Sequence, residues 1–300
     1  AVTTGAVNTL IGGLSGDAIT TGDYNTTLGV STLGANTASN KNTAIGGNSM
    51  VAFNVTTDTD TLNTAVGYGS GQAVTTGIEN TIIGSLAGDA LTDADRNVAI
   101  GNLSLTADTL GSRTVAIGRG SLQFQNFTTA TDSYNVAVGY DSGNQITTGV
   151  ANTLIGGKAG DAITDGTDNV ALGMQALSTN QRGSHNTAIG KDALLDLNPS
   201  GEVDTENTAV GHHAGRLVST GVRNTFIGAA AGAQATTTDD CVIIGFAAGG
   251  GATLTGHDNV YVGKDAGNAT TSGGRNLFLG REAGFAAATA TGNICLGHQV

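Results

Sequence analysis

The pentapeptide NTAIG at residues 42–46 limits what this chain can fold into more than any other feature. Variants recur from end to end: NTLIG from Asn8, NTAVG from Asn63, NVAIG from Asn97, NTFIG from Asn224 and NICLG from Asn293. Aligned on the glycine there are seventeen copies, starting at 8, 25, 42, 63, 80, 97, 114, 135, 152, 169, 186, 207, 224, 241, 259, 276 and 293. A short unit cannot bury its own apolar face and does so by stacking on its neighbours. Such a period therefore predicts a solenoid, here as one repeat domain over residues 1–300.

A second period lies above the first. Successive copies are 17, 17, 21 and 17 residues apart, three times over, and then 17, 18, 17 and 17. The 21-residue turns begin at Asn42, Thr114 and Asn186, and the four-turn blocks begin near 8, 80, 152 and 224. IGGLSGDAIT, IGSLAGDALT and IGGKAGDAIT, from Ile11, Ile83 and Ile155, repeat at the same 72-residue interval, so side chains are copied as well as length.

Within a turn the positions have separate jobs. The first is Asn in fifteen copies, with Thr114 and Cys241 the exceptions. The fourth is Ile, Val or Leu in all seventeen, the fifth is always Gly, and the eighth is Ser or Ala nearly throughout. Recurrent Gly, β-branched residues in the motif and the absence of a 3.6-residue stripe argue against helix. Each turn reads as strand, glycine bend, second strand, polar bend. The glycine suits a positive φ or close backbone approach. The Asn suits a corner, and stacked copies can form an amide ladder. Asn42, Asn63 and Asn186 with Gly46, Gly67 and Gly190 are the structural examples, and Ile45 is assigned to the core. Seventeen residues reach at most about 56–60 Å extended, enough for a flat roll.

The third and fourth positions point to opposite faces of the strand, the fourth always aliphatic and the third apolar in all but one copy. A strand apolar on both faces is covered on both faces. With the fourth position inside, the third is left to meet identical chains. Leu10, Ala44, Ile82, Leu154, Phe226, Tyr261 and Phe278 are the candidates for that oligomer interface, with a trimer favoured.

Composition fits close-stacked backbone with small side chains: Gly is 48 of 300 residues, Pro occurs once, Trp never, and charged residues make up 12%. The formal charge of −12, with no basic stripe, speaks against a nucleic-acid partner. No apolar run is long enough for membrane insertion in this segment. Cys241 and Cys295 fall at different places three turns apart, so roughly 14 Å of stacking separates them and two free thiols are expected. The chain opens and closes in mid-turn, as a fragment of a longer fibre or as ends that meet other chains.

Taken together, the motif Asn-[Ser/Thr/Val]-x-Ile-Gly followed by a small residue resembles the head repeats of YadA-like trimeric autotransporter adhesins. NTAIG at Asn42 and Asn186 and NVAIG at Asn97 carry the likeness, and related repeats occur in phage tail fibres. The resemblance implies a left-handed parallel β-roll, three chains side by side, that binds host surfaces or matrix. The turns here, of 17 or 21 residues, are longer than that family's turn of about fourteen, and no neck, stalk or anchor is present.

The long turns, over 51–62, 123–134 and 195–206, are the candidate contact loops, because insertions in a solenoid emerge on one face. The residues singled out are Asn54, Thr56 and Asp58, then Asn126, Phe127 and Thr128, then Asn198, Pro199 and Glu202. Asn54 and Asn126 open N-x-T sequons, which Pro199 disqualifies at Asn198. Asp17, Asp89 and Asp161 recur in GDA, but successive copies are four turns apart and read as turn chemistry rather than cation ligands. The adjacent His212 and His213 match no zinc spacing, and no nucleophile or carboxylate pair is placed by motif, so no metal, cofactor or catalytic residue is expected. Thr repeats in TTG skip turns, against an ice-binding face.

The sequence thus predicts an all-β, parallel β-solenoid of about seventeen turns and roughly 80 Å, as a side-by-side homotrimer. Its expected role is an extracellular fibrous head or shaft displaying multivalent contacts to a host surface protein or glycan. The alternatives are a phage tail-fibre segment and a self-polymerising filament subunit.

Overall fold

The motif becomes a strand of only three residues, and backbone geometry explains why. The residue before each Asn sits in the left-handed region, as at Lys41 with φ 59°, and the fifth-position glycine is at positive φ, as at Gly46 with φ 118°. Two such corners confine the extended stretch to positions two to four. The computed structural model describes residues 2–300, and the chain divides into two compact units, Ala1–Val150 and Ala151–Val300.

In the first unit eight strands stack in parallel: Thr9–Ile11, Thr26–Leu28, Thr43–Ile45, Thr64–Val66, Thr81–Ile83, Val98–Ile100, Val115–Ile117 and Val136–Val138. In the second, nine do so: Thr153–Ile155, Val170–Leu172, Thr187–Ile189, Thr208–Val210, Thr225–Ile227, Val242–Ile244, Val260–Val262, Leu277–Leu279 and Ile294–Leu296. Within each unit the register is strict, each motif position pairing with its counterpart one turn on, as in Ala44 with Ala65 and Phe226 with Ile243. The fold is a parallel β-solenoid with about seventeen turns between the two units. There is no helix among the described residues, so none long and apolar enough to cross a membrane.

The second expected strand does not form in the ordinary turns. Its N–H groups do not alternate along the neighbouring segment. Instead they converge on one carbonyl of the next turn, Thr75, Thr76 and Gly77 all donating to Thr92 O at 2.9, 3.3 and 3.3 Å. A curled segment bonded in this way stacks without making a ladder. Among the described residues, short second ladders arise only at long turns, where Thr131–Asp132 pairs with Gly111–Ser112 and Val203–Asp204 with Gly183–Ser184. Isolated bridges join Asn40 to Asp60 at the first long turn and Ala235 to Leu254 beside the 18-residue turn.

The inside and the outside are the reverse of the expected ones. Ala44, Ile82, Leu154, Phe226, Tyr261 and Phe278 are sealed inside the roll, and Leu10, on the first turn, is half-buried and points the same way. They form the core, not an interface. The invariant fourth position faces out: Ile45 is half-buried, and exposure rises from 37% at Ile83 to 62% at Leu296. The physical reason lies at the ninth position, which the motif does not include. It is occupied by Gly or by a buried Leu or Met, and its choice tracks the third. Ala99 shares a turn with Leu105, whereas Phe226 shares one with Gly232, where a Cβ would fall 2.2 Å from the Phe226 ring. Two positions that exchange volume must occupy the same space, and that space is the interior. Where both are small, as in Ala65 with Gly71, neighbouring turns fill the gap. A Cβ at Gly71 would lie 3.0 Å from Ile82 and 3.5 Å from Met50.

Candidate functional site

Two surfaces present themselves, the outward strand face and the long turns. On the strand face the fourth-position aliphatic stands beside the second-position Thr or Val, replaced by Leu277 and Ile294 in the last two copies, since both positions point away from the core. In the first unit this sets Thr9, Thr26, Thr43, Thr64 and Thr81 in successive register with Ile11, Leu28, Ile45, Val66 and Ile83. The result is a continuous apolar and hydroxyl stripe, without charge on either position.

Behind it runs the buried Asn ladder. Each side-chain oxygen accepts from the backbone N–H of the next copy, as Asn63 N to Asn42 Oδ1 at 3.2 Å and Asn80 N to Asn63 Oδ1 at 2.9 Å. Its amide nitrogen donates across its own turn, Asn63 Nδ2 to Gly77 O at 2.9 Å. One side chain thus closes its turn and caps the next, which explains its recurrence. Asn186 continues the series in the second unit, its N–H donating to Asn169 Oδ1 at 3.1 Å. Both exceptions are repaired. Cys241 takes the rung with sulfur, accepting from Asn259 N at 3.4 Å, and burial pushes its thiol pKa up to about 11. At Thr114 a buried neighbour supplies the missing amide. Gln125 donates to Thr114 Oγ1 at 3.1 Å and to Asp108 Oδ2 at 2.7 Å, and accepts from Asn135 Nδ2 at 2.9 Å. Both cysteines are free.

The long turns keep register through Asn54, Asn126 and Asn198, whose N–H groups donate to Thr75, Thr147 and Ser219. Beyond them Thr56, Asp58, Thr128 and Glu202 are exposed, as are Asn126 and Asn198, and Asn54 is half-buried. Two of the expected contact residues are not on the surface. Phe127 is 6% exposed and folds back over Gly111, where a Cβ would meet its ring at 2.8 Å, while its N–H donates to Asp108 Oδ1. Pro199 is likewise turned inward between exposed Asn198 and Ser200. An apolar ring at the root of each of these loops pins it down and leaves the polar tip outside. In the first long turn the hydrogen-bonded Lys41 ammonium holds the Asp60 carboxyl below its ordinary range.

The GDA aspartates serve turn stacking. Asp89 accepts from Thr106 Oγ1 and Asp161 from Ser178 Oγ, each one turn on. Charges elsewhere pair between adjacent turns, as in Arg96 with Glu79 and Arg223 with Asp240. These are exposed pairs and contribute little to stability.

Fold and surfaces together define a repeat-built parallel β-solenoid with an apolar outer stripe. No family model, no curated protein and no solved structure matches the chain.

Proposed function

We propose that this protein is an extracellular fibrous structural and adhesive protein: a rigid repeat shaft, assembled side by side with identical chains, that displays its long-turn tips in multiple copies. One observation carries the reading. The position that never departs from Ile, Val or Leu is the outward one, while the core position ranges from Ala to Tyr. An unbroken aliphatic stripe on a strand face costs solubility unless a partner covers it. A second copy presents the same stripe at the same spacing. The resemblance of the motif to YadA-like head repeats favours three chains and a surface location, with a host protein or glycan as ligand. Tips repeated along each chain, and again on each partner, convert weak single contacts into avidity.

The adhesive half is tested with the full chain over panels of immobilised glycans and matrix proteins, alongside the outward double variant Ile45→Lys/Val66→Lys. The expected result is a binder that the wild type holds at least tenfold more tightly than the variant does. Binding equal in the two proteins, or none to any surface, contradicts the proposal.

A further inference from the structure

The 21-residue turn opened by Asn186 places Asp192 and His213 at the same point of adjacent turns, and the two meet, His213 Nε2 lying 3.0 Å from Asp192 Oδ2. Both have left-handed backbone, φ 56° and 60°. That conformation turns His213 to the side of His212, and the two rings stack with centroids 3.7 Å apart and planes 25° apart. One ligand atom from each of Asp192, His212 and His213 lies within 4.8 Å of the others, the only such grouping of three among the described residues.

A second observation points to a cation. Asp192 is 8% exposed, and its Oδ1 is fully buried without a hydrogen-bond partner. The other oxygen takes both His213 and Lys191 Nζ, the latter at 3.2 Å. A buried carboxylate oxygen left without a donor is costly, and a metal ion removes that cost.

We infer that Asp192, His212 and His213 form a binding site for one divalent transition-metal ion per chain. Two imidazoles and a carboxylate are the donor set of Zn²⁺ and its neighbours, whereas Ca²⁺ and Mg²⁺ take oxygen ligands. Exposed His212 has the freedom to swing its ring the short distance that coordination requires. Three protein ligands leave a fourth position for water or for a donor from a bound molecule. The ion clips the long turn opened by Asn186 to the turn that follows it.

The test titrates Zn²⁺ alone into the full chain by isothermal calorimetry, with Asp192→Asn and His212→Ala in parallel. His212 is exposed, so its variant keeps the fold, checked by circular dichroism. Expected are one Zn²⁺ per chain and at least a tenfold loss of affinity in each variant. No saturable binding, or binding unchanged in both variants because the ion sits adventitiously on the acidic surface, overturns the inference.

Discussion

Asp108 occupies the place that Asn36 and Asn180 hold one block away on either side. All three are buried, and each accepts from the backbone three residues on. Only Asp108 is ionisable there, and burial raises its pKa above the ordinary carboxylate value. A group whose pKa rises on folding contributes fully below its unfolded value, and that contribution is lost as pH climbs through the folded value. The melting temperature of the wild type relative to Asp108→Asn is therefore expected to fall as pH rises from about 4 to about 7. A difference independent of pH in thermal melts contradicts this. The fifth-position glycine gives a second residue-scale prediction. A Cβ on Gly46 would lie 2.4 Å from Gly67 O, backbone that cannot step aside, whereas one on Gly13 meets nothing within 4 Å. Gly46→Ala is expected to cost about 3 kcal/mol in denaturant unfolding, and Gly13→Ala less than about 0.5 kcal/mol.

At the scale of the turn, the third and ninth positions behave as one unit of volume. Gly232 has φ 59°, and buried Leu105 adopts φ 52° at the same position, so the backbone there accepts Leu and only the Phe226 ring forbids it. Phe226→Ala alone is expected to cost about 3–5 kcal/mol, and Gly232→Leu alone to overpack. Their combination should recover about 1–3 kcal/mol relative to the sum of the two in a double-mutant cycle, and strict additivity would count against a shared space. This exchange was legible in the sequence and reverses the reading of the strand. The motif alone gave the stacked turns, the Asn ladder and the glycine corner correctly, because each depends on backbone and recurs identically. It misplaced Ile45 and Ala44 because invariance suggested the core, when volumes traded across six residues identify the interior. Phe127 and Pro199 were misread for a related reason, since an inserted loop needs its own apolar anchor. The Asp192 and His213 meeting was also available, hidden behind a spacing of 21 rather than 17.

At the scale of the molecule, the invariant fourth position forms an outward aliphatic stripe. Contiguous exposed apolar surface marks interaction sites, and this solenoid keeps its outward strand position aliphatic at every turn. The third position fills the interior from within the chain, so the proposed assembly, not folding, is what the outward stripe would serve. On the proposed assembly, lysine at this outward position is expected to leave the interior intact and to weaken association, which separates assembly from folding. The most direct test is the mass of the full chain by sedimentation velocity at nanomolar concentration. A side-by-side trimer predicts a species of three times the 29.6 kDa chain for the wild type, and a folded monomer for Ile45→Lys/Val66→Lys. A wild type that sediments as a stable 29.6 kDa monomer contradicts it.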